Sequence, residues 1–144
     1  MATRIASRAL LYFAVVFVAG FLLGALRTVF VVPRIGDRFA ELAESPLMLL
    51  VVYLVARRLV RRESKLAGQA EWFAVGCLAL GLMLLSEFTV VLWIRGLSLS
   101  TYFANRDPVS GAVYLASLVV FAVCPWLVFR YEPRLSAPSN ERAS

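Results

Sequence analysis

Residues 24–46 read GALRTVFVVPRIGDRFAELAESP, and this stretch predicts that two apolar helices are joined by a reversal of the chain. The residue before a proline is pushed out of the α region and the proline offers no amide hydrogen, so Val32-Pro33 is expected to end the helix that runs in from Leu10. A second apolar helix is expected from Glu41 to Val60, bent at Pro46, whose ring removes one backbone hydrogen bond. Between them Arg34, Arg38, Glu41 and Glu44 recur every three or four residues. On a continuous helix that spacing makes one charged stripe, with Arg38 and Glu41 as ion-pair neighbours. Arg27 and Glu44 stand inside the apolar runs themselves. A charge at the centre of a bilayer costs a few kcal/mol or more, so both are expected to face a neighbouring helix.

Working outward, Trp72 to Ile94 and Val109 to Phe129 are two further apolar runs, which puts the expected spans at about 10–32, 41–60, 72–94 and 109–129. Each has the ~20 residues that a crossing helix needs. The chain of 144 residues is 61% hydrophobic with a mean hydropathy of +0.80, against roughly 45 to 50% apolar in soluble domains. The connections leave no room for a soluble domain of ~50 residues. The expected fold class is all-α: a polytopic membrane protein with a four-transmembrane-helix antiparallel bundle over residues 1–132, neighbours in sequence packing side by side, and a disordered cytoplasmic tail over 133–144. Gly20 and Gly24, and Ala112 with Ala116, form small-residue stripes suited to close packing within the bundle or between copies. Trp72 and Trp93 are expected in aromatic belts at the two interfaces.

The net charge is +6, and its distribution sets the orientation. Arg4 and Arg8 precede the first span, Arg57, Arg58, Arg61, Arg62 and Lys65 crowd the second connection, and Arg130, Arg134 and Arg142 follow the last span. Arg27, Arg34, Arg38, Arg95 and Arg106 belong to the other side. This bias places both termini in the cytoplasm. The basic start and long apolar run, with no A-x-A-like cleavage site, predict an uncleaved first helix. The arginines border spans without aromatic interleaving, which implies the lipid bilayer as partner and no nucleic acid. With no histidine and two cysteines, a bis-histidine haem site, an ordinary zinc site and a His-dependent triad are excluded. Cys77 and Cys124 are expected to act as small buried apolar residues, with a redox pair as the alternative. No Gly-rich phosphate loop or activated nucleophile is present. No cofactor, metal or enzymatic activity is expected.

Helical rise puts Arg27 and Glu44 ~5 Å, and Glu87 ~7 Å, below the outer edge of a ~30 Å core, with Tyr114 of the last span at that level. The expected site is a buried polar layer of Arg27, Glu44, Glu87 and Tyr114, flanked by an outer charged segment of Arg34, Arg38, Glu41, Arg106 and Asp107. Asp107-Pro108 is expected to cap the last helix. The leading functional expectation is a non-enzymatic structural or accessory membrane subunit in which an Arg-Glu pair fixes helix register, associating with copies of itself or a larger membrane complex. The first alternative is an oligomeric ion or small-solute transporter using Glu87 and Arg27. The second is a site for anionic lipid headgroups on Arg27, Arg34, Arg38 and Arg106. Polar residues are sparse in the cytoplasmic half, which weighs against transport by a single copy.

The combination Gly24-x-x-Arg27, Pro33-Arg34-x-Gly36, Ala40-Glu41-x-x-Glu44-x-Pro46 and Arg106-Asp107-Pro108 resembles a group of short, uncharacterised four-helix bacterial inner-membrane proteins, and the likeness runs from the first helix into the fourth. It implies a multi-pass protein of the bacterial cytoplasmic membrane, and it brings no activity or site.

Overall fold

The structure is a computed structural model that describes residues 2–63, 68–94, 96, 98–104 and 107–131. The chain is all-helical, in the order α1 Ala2–Leu26, α2 Val32–Glu63, α3 Gln69–Thr89, α4 Leu99–Ala104 and α5 Pro108–Tyr131. Two π-helical turns, Arg27–Val31 and Val90–Ile94, extend α1 and α3. Among the described residues, three helical runs are long and apolar enough to cross a membrane: Ala2–Glu63, Gln69–Thr89 and Pro108–Tyr131. The tail expected over 133–144 lies outside the described residues.

The first run, 62 residues long, doubles back on itself. Gly36 has φ 79° and ψ 165°, a backbone region that glycine enters without steric cost, and Arg8 near one end of the run is ion-paired with Glu63 at the other. The expectation that the first helix stops at Pro33 is therefore corrected. The Val32 amide reaches back to the Arg27 carbonyl, and this widened turn relieves the crowding that a proline ring imposes on the carbonyl four residues before it. The helix passes Pro33 and breaks at Gly36. The expected continuous stripe is also broken there: Arg38 turns to Asp107, the residue before α5, and Glu41 turns to Arg27 rather than to Arg38.

Helix α1 packs against α2 and α3, and α5 packs against the same two helices from the other side. Arg8 joins the start of α1 to the start of α3, so these two run in the same direction. The Arg38–Asp107 pair sets α2 and α5 likewise. The short link after Glu63 was expected to make α2 and α3 antiparallel neighbours; instead they stand across the packing from each other, each beside α1 and α5. Arg8 of α1 sits between Glu63 and Glu71, so the end of α2 and the start of α3 meet through α1.

The core lies at the Arg8–Glu63 end, where Tyr12, Val16, Val60, Trp72 and Val75 are essentially free of solvent. Trp72, expected in an interfacial belt, is a core residue, because Arg8 lies over its ring at 5.4 Å and is itself buried. Trp93, at the far end of α3, is 88% exposed. Over the rest of the surface Leu10, Phe21, Leu22, Leu85, Leu115 and Val119 are exposed, an apolar mantle that only a lipid environment solvates without cost.

One contact in this core explains a residue pair far apart in sequence. The Tyr12 ring stacks on Phe121 with centroids 4.6 Å apart, and its hydroxyl donates to the Phe121 carbonyl at 2.9 Å. Pro125, inside α5, has no amide to give that carbonyl, so the tyrosine supplies the missing donor. Tyr12→Phe should therefore strand a buried carbonyl and cost about 1 to 3 kcal/mol, read as a lower unfolding midpoint in detergent. In a Pro125→Ala background, where residue 125 regains its own amide, the same change should cost much less. Equal costs in the two backgrounds would refute the compensation.

Candidate functional site: an ion-pair cluster at the reversal and a buried arginine at the opposite end

Arg27 opens the π-helical turn at the end of α1 and reaches across the reversal to α2. Its Nη1 lies 3.3 Å from Glu41 Oε1 and its Nε 3.0 Å from Glu44 Oε2. The three side chains are 23%, 33% and 18% exposed, so this is a half-buried cluster rather than a dry one. One guanidinium, on the first residue of the widened backbone turn, meets two carboxylates. A second pair ties α2 to α5: Arg38 Nε stands 3.5 Å from Asp107 Oδ2. The same Asp107 oxygen accepts the Val109 and Ser110 amides at 3.2 and 3.0 Å, which caps the start of α5.

The structure thus brings together Arg27, Glu44 and Glu41, and separately Arg38 and Asp107. Glu87 is partly buried on α3, and no ion pair joins it to Arg27. Tyr114 is partly buried on α5, which packs chiefly on α2 and α3 rather than on the turn that carries Arg27. Arg34 is exposed on the turn before Gly36, and Arg106 lies outside the described residues. Beside Arg27 a shallow groove opens outward, lined by Phe21, Gly24, Ala25 and Thr28. Of the two glycines in the small-residue stripe, Gly20 faces Met48 of α2, while a side chain at Gly24 would meet nothing within 4 Å. Cys77 and Cys124 are free thiols, one exposed and one buried.

The opposite end holds a cluster that sequence reasoning missed. Arg8 is only 5% exposed. Its Nη2 donates to Glu63 Oε2 at 3.0 Å, and its Nη1 lies 3.6 Å from Glu71 Oε2. With Trp72 beneath it, one guanidinium connects α1, the end of α2 and the start of α3. A positive residue just before a span reads as a topogenic charge whichever way it points. The usable signal was register: Arg8, Tyr12 and Val16 are four apart, so they share one helix face, and all three prove buried.

Comparison of the chain with protein-family models, with curated proteins and with solved structures gives no match in any of the three.

Proposed function

We propose that the protein is a non-enzymatic structural or accessory subunit of the bacterial cytoplasmic membrane, with both termini in the cytoplasm and four spans. In this reading the Ala2–Glu63 run crosses twice, turning near Gly36 on the outer side. The arginine-rich end of α2 is cytoplasmic by the positive-inside bias. The observation that carries the proposal is the packed core at the Arg8–Glu63 end: Tyr12, Val16, Trp72, Val75 and Phe121 are all at most 2% exposed, a close packing that supports a structural role over transport by one copy. Outward-turned small residues support association in the membrane with a second copy or a larger complex. These are Gly24 and Ala25 on α1, and Ala112 and Ala116 on α5.

Two measurements test it together. Proteoliposomes should pass protons and cations at the rate of protein-free vesicles, while Glu44→Gln should lower stability by about 1 to 2 kcal/mol, between the values for exposed and buried ion pairs. A flux that Glu44→Gln abolishes would overturn the proposal in favour of transport. Extracted in mild detergent, the protein should migrate in an assembly larger than the 16.0 kDa protomer. A monomer under all extraction conditions would remove the subunit role.

A further inference from the structure

Helix α2 does not stop where its apolar run stops. Beyond Val60 it continues through Arg61, Arg62 and Glu63, and Arg58, Arg61 and Arg62 fall on one face by their spacing. All three are exposed, and none takes an ion pair among the described residues. The carboxylate placed to neutralise them is Glu63 in the same turn, and it is turned away to Arg8. Glu71, the other carboxylate described at this end, is turned to Arg8 as well. Burying Arg8 therefore engages both carboxylates described at this end and leaves three guanidinium groups without an ion pair among the described residues.

The face below them has the opposite character. Leu47, Leu50 and Leu54 precede Arg58 and Arg61 at spacings of three and four residues, and they are 46%, 51% and 50% exposed. One stripe of α2 thus runs from exposed leucine into exposed arginine. On neighbouring α5, whose end lies beside that of α2, the Arg130 guanidinium sits over Trp126 at 5.2 Å and Tyr131 at 5.8 Å. Aromatic rings of this kind mark the headgroup level of a bilayer.

We infer that this face of α2 binds an anionic phospholipid, its phosphate on Arg58, Arg61 and Arg62 and one acyl chain along Leu47, Leu50 and Leu54. A bare anion would use the arginines and ignore the leucines; an amphiphile uses both. Planar guanidinium groups suit a phosphate diester, which they can engage with two parallel hydrogen bonds. A zwitterionic headgroup carries its own cation and gains less. The inference is independent of the subunit role and requires only that this face meet lipid.

Native mass spectrometry of the full chain tests it, with the protein released from micelles containing equal phosphatidylglycerol and phosphatidylcholine of matched acyl chains. The wild type should retain the anionic lipid about tenfold or more over the zwitterionic one. Each cation near an anionic surface strengthens association about fivefold, so the combined Arg58→Gln, Arg61→Gln, Arg62→Gln variant should lose most of that preference, and the matching Lys variant should keep much of it. Excess inorganic phosphate should leave the lipid in place. Equal retention of both lipids by the wild type overturns the inference whatever the variants do. An unchanged preference in the Gln variant overturns it too, and displacement by free phosphate would reassign the arginines to a soluble anion.

Discussion

Gly76→Ala should lower stability by about 3 kcal/mol or more. A Cβ at position 76 would fall inside the van der Waals envelope of the Ala122 carbonyl oxygen on α5. A flexible side chain could swing aside from such a clash; a backbone carbonyl cannot. The α3–α5 pair must then separate, and Val75, Ala79, Cys124 and Phe121, all within the same core cluster, lose close contacts whose dispersion energy falls steeply with distance. A native stability of about 5 to 15 kcal/mol would be cut by a large fraction. Gly81→Ala is the matched control: it lies on the same helix, nothing stands within 4 Å of its Cβ position, and alanine improves helix propensity by about 1 kcal/mol. Unfolding midpoints in detergent should move in opposite directions for the two variants. If Gly76→Ala melts with the wild type, the backbone-to-backbone approach of α3 and α5 is wrong.

The contrast between these two glycines shows what could be read from sequence. Apolar runs broken by charged or proline-bearing segments located the long helices, because a helix solvated by lipid must be apolar nearly all round and its length is set by the bilayer. Arg27 and Glu44 could be placed at one depth because they lie on either side of a single short reversal, where helical rise alone fixes their heights. The same arithmetic put Glu87 at that level but could not say which way it faces. Packing partners depend on which helices are neighbours, and here the link after Glu63 joins helices that stand apart. For that reason Gly76 and Gly81 look equivalent in the sequence, and the service that Tyr12 renders at Pro125 spans 109 residues to Phe121 without a local signature. Gly36 is a different kind of miss. Val32-Pro33 carried the stronger stop signal, yet a π-helical turn absorbed the proline and glycine took the break.

Arg8 carries the second large expectation, since sequence rules and packing give opposite answers for it. Counted as a topogenic charge, it is interchangeable with Arg58: removing either takes one positive charge from the same side. In the packed protein Arg8 is buried against Glu63, Glu71 and Trp72, while Arg58 is exposed without an ion pair among the described residues. Taking away one partner of a buried ion pair costs about 3 to 5 kcal/mol, because the opposite charge stays behind without compensation. Glu63 is 44% exposed and can turn back to water, but Glu71 is 17% exposed and cannot do so fully. Arg8→Met should therefore cost about 2 to 4 kcal/mol, and Arg58→Gln within about 0.5 kcal/mol of nothing. Arg8→Lys should recover only part of the loss, since one ammonium cannot span both carboxylates and stack on the indole. Adding Glu71→Gln to Arg8→Met should restore about 1 kcal/mol or more, by removing the charge left stranded. A melting curve in which Arg8→Met and Arg58→Gln coincide would return Arg8 to the status of a topogenic charge. It would also leave Glu63 free to neutralise the arginines beside it.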